Sequence, residues 1–266
     1  MPPVIPSECE RISSAQNPKI HNLLLLQEKS RARREQGLFV VEGRRELQHC
    51  LEAGFEIDTL FVLEEMADQI NSPAPRVIAL PRSLFEKVTY RGATEGVVAE
   101  VRIKERRLED LTLRENPLIV VIEGVEKPGN IGAILRSADA AGADAMLVCD
   151  PLTDLWNPNL IRASLGGIFT VPTVACTSEE AISFLQARGI AILTAQLQDS
   201  ELYYDTPMTG GTALVMGTES TGLTDRWRKA ATAHIRIPMQ GQLDSLNVSV
   251  STAILLYEAV RQRQPR

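Results

Sequence analysis

The chain alternates short apolar runs with segments of helical period, and this pattern divides it in two. Through residue 107 it predicts a helix at "HNLLLLQEKSRARR", a buried strand at "GLFVVEG" and a helix at "RRELQHCLEAG" that stops at Gly54. Strands follow at "IDTLFVLEE" and "PRVIALP" with a short helix between them. A helix at "PRSLFEKVTY" and a strand at "EGVVAEVRI" complete a small α/β unit. Residues 108–116 are charged, lack a strong period and are expected to form a linker. From 117 to 266 the alternation is more regular. Strands are expected at "PLIVVIEGV", "DAMLVCD", "TVPTVAC", "IAILTAQL", "TALVMG" and "HIRIPM". Helices fall at "NIGAILRSADAAG", "NPNLIRASLG" and "SEEAISFLQARG", and at the last apolar segment "NVSVSTAILLYEAVRQ". Apolar strands alternating with helices imply a largely parallel sheet covered on both faces.

Ligands of such sheets bind in loops beyond the carboxyl ends of the strands. Three loops are therefore informative. "EKPGNIGAILRSADAAG" follows the first strand of the second region; Gly129 and Gly132 permit a tight strand-to-helix turn. Asn130 there suits a helix cap, and Arg136 lies nearly two turns further on. The glycines read G-x-x-G, so a nicotinamide-binding fingerprint, which needs G-x-G-x-x-G, is poorly matched. "GTESTGL" sets Thr218, Glu219, Ser220 and Thr221 between Gly217 and Gly222, and glycines let a backbone approach a ligand. "MQGQLDSLNVSV" leads into the last helix with Ser245, Asn247, Ser249, Ser251 and Thr252, more hydroxyl and amide groups than one cap requires. The small residues Ser249, Ser251 and Ala253 also suit close helix packing. Taken singly, each loop is equally an ordinary turn or cap.

Composition narrows the class. At 266 residues with 44% hydrophobic and 23% charged residues the chain is globular. No run approaches the ~18 apolar residues of a membrane span, and the N-terminus lacks the basic start and apolar stretch of a signal peptide. Cys9, Cys50, Cys149 and Cys176 offer neither zinc-ligand spacing nor a Cys-x-x-Cys pair. Reduced thiols, a cytoplasmic location and no metal are expected. Residues 1–107 carry 16 Lys+Arg against 16 Asp+Glu, and residues 108–266 carry 12 against 18, so the net charge of −6 lies in the second region. Polyanion contact is thus expected in the first, at the run Lys29, Arg31, Arg33 and Arg34. A solvated helix end explains such a run as readily.

Together, "PGNIGAILRSADAAG", "LVMGTESTGL" and "IPMQGQLDSLNVSVSTAILLYEAV" closely resemble, in order and spacing, the three motifs of SpoU-type (TrmH) RNA 2′-O-ribose methyltransferases. "NPNLIRASLGGIFTVP" is similar to a segment these enzymes carry after the second strand. "ISSAQNPKI" and "GLFVVEGRREL" are similar to the small ribosomal-protein-like substrate domain that precedes the catalytic one. The resemblance implies an RNA-binding domain at 1–107 and a catalytic α/β domain at 117–266, with a mostly parallel sheet tied in a trefoil knot. It implies S-adenosylmethionine held through Gly217, Ile237 and Leu246. It also implies a reacting 2′-hydroxyl oriented by Asn130, Arg136, Glu219, Ser245 and Asn247. Arg136 is a poor base, since a guanidinium does not give up its proton in proteins; holding phosphate and stabilising the developing alkoxide suit it better. Alignment of oxygen, methyl and sulfur can supply ~7–11 kcal/mol of the barrier. A homodimer through the last helix is expected. The added first domain favours rRNA over tRNA as substrate, the alternatives being a tRNA methyltransferase or a catalytically silent RNA-binding knot protein.

Overall fold

A computed structural model describes residues 9–69, 73–90, 92, 95–218 and 221–264. The chain forms two compact units: 1–104 with 156–166, and 105–155 with 167–266. The contacts thus assign 156–166, which lies within the expected catalytic domain, to the first unit.

The first unit contains β1 (Glu10–Arg11), α1 (Pro18–Glu28), α2 (Ser30–Gln36), β2 (Leu38–Glu42), α3 (Arg44–Glu52), β3 (Ile57–Leu63), β4 (Val77–Leu80), α4 (Arg82–Val88) and β5 (Val97–Arg102). Its sheet runs β1-β4-β3-β5-β2, parallel among the first three strands and antiparallel among the last three. The helix expected as one piece breaks at Lys29, whose backbone is extended. The cause is Arg33. It is only 2% exposed, and its guanidinium turns back to donate to the carbonyls of Leu26 (2.6 Å) and Gln27 (3.2 Å) at the end of α1. Those carbonyls have no intrahelical partner, so Arg33 serves as a helix cap and not as an RNA contact.

The second unit contains β6 (Leu118–Glu123), α5 (Pro128–Ala140) and β7 (Ala145–Cys149), while α6 (Pro158–Ser164) belongs to the first unit. The second unit continues with α7 (Gly167–Thr170), β8 (Thr173–Cys176), α8 (Ser178–Ala187), β9 (Ala191–Ala195), β10 (Glu201–Leu202), β11 (Thr212–Met216), α9 (Asp225–Ala230), β12 (Ala233–Arg236) and α10 (Val248–Arg263). Its seven strands are all parallel, in the order β10-β12-β9-β11-β6-β7-β8. Every residue of β6, β7 and β11 is buried, as expected of strands covered on both faces. The expected linker is no free tether, because Leu108, Leu111 and Leu113 pack against this core. Cys149 and Cys176, 27 residues apart in sequence, are register partners on β7 and β8, with sulfurs 3.9 Å apart and both thiols free.

The end of α10 is tied down by two side chains. Arg263 donates to the carbonyls of Met208, Asn116, Pro117 and Gly210 at 2.7–3.2 Å. Gln262 donates to Thr206 and accepts from the Met208 amide. These bonds fix the last helix to the segments that enter β6 and β11. Among the described residues no helix is long and apolar enough to cross a membrane.

Candidate cofactor cleft and reaction site

A cleft of about 710 Å³, its mouth included, opens at the carboxyl ends of β9, β11 and β12. Gly217, Ile237, Leu246 and Ser245, chosen from the sequence, all line it. Met216, Ile235, Val248 and Leu255 give it an apolar floor, while Gln196, Asp244 and Ser251 add polar groups.

Glycine is required at 217. A Cβ there would stand 2.6 Å from both the Gly222 carbonyl oxygen and the Leu223 nitrogen. The loop closes this tightly because Thr218 and Gly222 exchange two backbone hydrogen bonds, with Gly222 at φ +68°. Its exit is pinned by Glu123, a buried carboxylate at the end of β6. This group accepts the Thr224 amide at 2.8 Å and the Thr224 hydroxyl at 2.7 Å. Sequence reasoning passed over Glu123, although a lone acid closing an otherwise apolar strand was the available signal. It also passed over the loop after β9, where Ala195, Gln196 and Leu197 form one wall. The rule that ligands gather at strand carboxyl ends applies to that loop equally.

Asn247 is the N-cap of α10: its Oδ1 accepts from the Ser249 amide (3.0 Å) and the Ser249 hydroxyl (2.6 Å). Its Nδ2 also donates to Asn130 Oδ1 at 3.2 Å, joining the first and third loops across 117 residues of sequence. Asn130 is not the cap of α5. That helix begins at Pro128 behind Lys127, and Asn130 occupies its third position. Arg136 stands about 9 Å further along the helix axis. It is exposed, makes no hydrogen bond or ion pair among the described residues, and does not line the cleft. Glu219 lies outside the described residues.

The cleft fits S-adenosylmethionine in its chemistry. Its floor is apolar, and the cradle at Gly217 leaves a main-chain surface open to close approach. Gln196 Oε1 is a buried acceptor without a hydrogen-bond partner among the described residues, a kind of group that costs about 1–3 kcal/mol when left unsatisfied. Among the described residues no three His, Cys, Asp or Glu side chains converge as a metal site would require. Of the basic run in the first unit, Arg31 pairs with Glu35 (2.7 Å) and Lys29 lies 3.9 Å from Glu28. Arg34 is exposed and makes no such contact among the described residues.

The comparisons with known proteins agree with this geometry. The pattern of the SpoU rRNA Methylase family matches residues 117–257, and that of the MRM3-like substrate binding domain matches 17–99. The 23S rRNA (uridine(2479)-2′-O)-methyltransferase of Streptomyces viridochromogenes is 32% identical over 241 residues, spanning 85% of this chain and 84% of its own. A crystal structure of an RNA 2′-O ribose methyltransferase is 38% identical with a TM-score of 0.82, over 95% of this chain and 99% of that one. The AdoMet-bound rRNA methyltransferase from Sinorhizobium meliloti is 28% identical with a TM-score of 0.88, over 97% and 99%. With its cleft, its three loops and both sequence patterns in place, the chain belongs to the SpoU rRNA methylase family.

Proposed function

We propose that the chain is an S-adenosylmethionine-dependent enzyme that methylates a ribose 2′-hydroxyl of rRNA. The observation that carries this reading is the cleft. Two loops chosen independently from sequence meet there around a glycine that no side chain can replace. When bound, the cofactor supplies a sulfonium methyl as the electrophile. Gly217, Ile237 and Leu246 hold its adenine end through main-chain groups and apolar contact. Ser245 lies on the cleft wall and orients the donor. The Asn130–Asn247 bond fixes the first loop against the third, so that the attacking hydroxyl meets a preset geometry. Arg136, with no partner among the described residues to compete for it, holds the adjacent phosphate and stabilises the developing alkoxide. Glu219 is assigned an orienting role from its motif position. Family membership implies the trefoil knot, and the packing of α10 on α5 together with the Arg263 clamp supports it.

The first unit selects the RNA, and of its basic run Lys29, Arg31 and Arg34 remain for phosphate contact. The enzyme acts as a homodimer. Val250 (47% exposed) and Tyr257 (52%) lie seven residues apart on one face of α10, with half-buried Ile254 between them, an apolar stripe suited to a second copy. A cytoplasmic location suits its rRNA substrate and four free thiols.

The test incubates the chain with labelled S-adenosylmethionine and unmethylated rRNA or tRNA, then maps ribose methylation. Transfer to one rRNA nucleotide is expected. Transfer to tRNA alone would identify the other substrate class, and cofactor or RNA binding without transfer would identify a silent knot protein. A monomeric mass by light scattering at micromolar concentration would remove the dimer.

A further inference from the structure

We propose that a second cleft, wholly within the first unit, seats an unstacked RNA base with its phosphate. The site deepens the RNA-methyltransferase reading above and rests on it. The cleft encloses about 740 Å³, mouth included, between the end of α4 and the segment carrying α6; Tyr90, Lys87, Arg162, Asn159 and Gln27 are among its lining residues. The Arg162 guanidinium lies 3.7 Å over the Tyr90 ring centroid. Tyr90 is nonetheless 76% exposed, so its ring stays open to solvent outside that contact.

Such exposure on a loose loop would carry little meaning, but this loop is anchored on several sides. The Tyr90 amide donates to Glu42 at 3.0 Å. The Thr89 hydroxyl is held by the carbonyls of Phe85 (3.0 Å) and Gly92 (2.9 Å). Gln27 donates to the Val88 carbonyl at 2.7 Å. The opposite wall is fixed by Trp156, stacked on Phe39 with centroids 4.5 Å apart, and by Asn157, which caps α6. The aromatic platform is therefore preorganised.

The charges beside it are uncommitted. Arg162 donates to Asn159 Oδ1 and pairs with no carboxylate among the described residues. Lys87 makes no hydrogen bond or ion pair among the described residues. A pinned, exposed aromatic ring with a guanidinium on it and an unpaired ammonium nearby presents a stacking face next to an anion site. Single-stranded RNA is recognised through this combination, its bases stacking on aromatic rings and arginine planes while cations hold the backbone.

The experiment uses the full chain and unmethylated rRNA, and reads methyl-transfer kinetics, filter binding of the RNA and S-adenosylmethionine affinity. Tyr90→Ala should raise both the RNA Kd and the KM by about tenfold, the scale of one lost base stack. The kcat and cofactor affinity should stay unchanged. Tyr90→Phe and Tyr90→Trp should stay near wild type, because each keeps a stacking face. Lys87→Gln should lower the salt dependence of binding by about one phosphate contact. Four-thiouridine-substituted rRNA should cross-link to a peptide containing Tyr90 or Arg162. An unchanged RNA Kd in Tyr90→Ala overturns the site and leaves the cleft to a peptide partner. A Tyr90→Phe as weak as Tyr90→Ala also overturns it, because the hydroxyl and not the ring would then be recognised. If the wild-type chain binds rRNA but methylates none, the enzymatic reading fails while filter binding still decides this site.

Discussion

The two units are built from the same materials and place their polar groups differently. In the first, buried polar side chains are spent on architecture. Arg33 caps α1, and Asp58, 5% exposed within β3, is clasped by Arg76 and by Arg102 at 2.6 Å. In the second unit, buried polar groups such as Glu123 and Ser178 gather where parallel strands end, and there they anchor loops. All strands of a parallel sheet deliver their carboxyl ends to one edge, so a few anchors there organise several loops at once. A sheet of mixed direction scatters its strand ends. The comparison teaches why a cleft at strand ends formed in the second unit, while in the first the side chains open to a partner, such as Tyr90 and Arg34, are those that stand clear of the core.

Gly217→Ala tests the second unit most severely. The new methyl would lie within 2.6 Å of backbone that cannot swing aside as a side chain can. S-adenosylmethionine binding should fall below detection by calorimetry, with unit stability reduced by about 1–3 kcal/mol, the usual cost of overpacking. The first unit should keep its RNA affinity. Retained cofactor binding would mean that the loop has room the geometry denies.

Arg263→Ala comes next. It leaves up to four carbonyls without their charged donor, and hydrogen bonds to charged groups contribute about 1.5–3 kcal/mol each. Water will reach some of these carbonyls, so a loss of about 3 kcal/mol is expected. It should appear in the denaturant transition assigned to the second unit. Arg263→Lys should recover only part, since one ammonium cannot reproduce the guanidinium fork.

Much of this was legible in the chain. Strand periodicity located all the long strands, and the α/β class and the burial of β6, β7 and β11 followed from it. The two-residue strands β1 and β10 and the short helices α7 and α9 were not seen, because so few residues carry no period. At the site, the glycine-bracketed loop pointed to Gly217, while Ile237 and Leu246 followed only from the resemblance to SpoU-type enzymes. The Asn130–Asn247 bond, formed across 117 residues, was beyond any local signal. Arg33 was misjudged because four basic residues in six look alike in sequence. Only the break at Lys29 shows which of them turns inward.

That misjudgement yields a paired test in the first unit. Arg33→Ala should cost about 2 kcal/mol by stranding two helix-end carbonyls, with a modest secondary effect on RNA affinity. Arg34→Ala should leave stability unchanged and reduce the log–log salt slope of RNA binding by ~0.7–0.9, one phosphate contact. If Arg33→Ala changes the slope without changing stability, the inward turn of its guanidinium is not what holds α1.

The smallest effect expected is an opposite response of the two units to acid. Burial holds the Glu100 carboxyl above its ordinary 4.5, against a hydrogen bond from Asn22 that lowers it. A carboxyl raised in the folded state costs stability as pH climbs from about 4.5 through the raised value, so the first unit should gain from Glu100 on acidification. Burial also pushes Asp144 up, but the Arg114 guanidinium and the amides of Leu118 and Arg114 outweigh it and leave the group below its ordinary 3.8. Glu258, bound at 2.7–2.8 Å by Arg261, is likewise held below 4.5. Carboxyls lowered in the folded state contribute stability that is complete above their ordinary values and disappears as pH falls through the lowered ones. The second unit should therefore weaken below about pH 4. The lowered Glu65 in the first unit is exposed beside Arg82 and is screened by salt, so it should oppose the gain only weakly. Melting followed by a probe in each unit from pH 7 to 3.5 should show the separation. Glu100→Gln should remove the gain of the first unit and raise its stability at pH 7, while Asp144→Asn should lower that of the second. Parallel loss in both units, unaltered by Glu100→Gln, would show that Glu100 ionises in the folded state as readily as in the unfolded one.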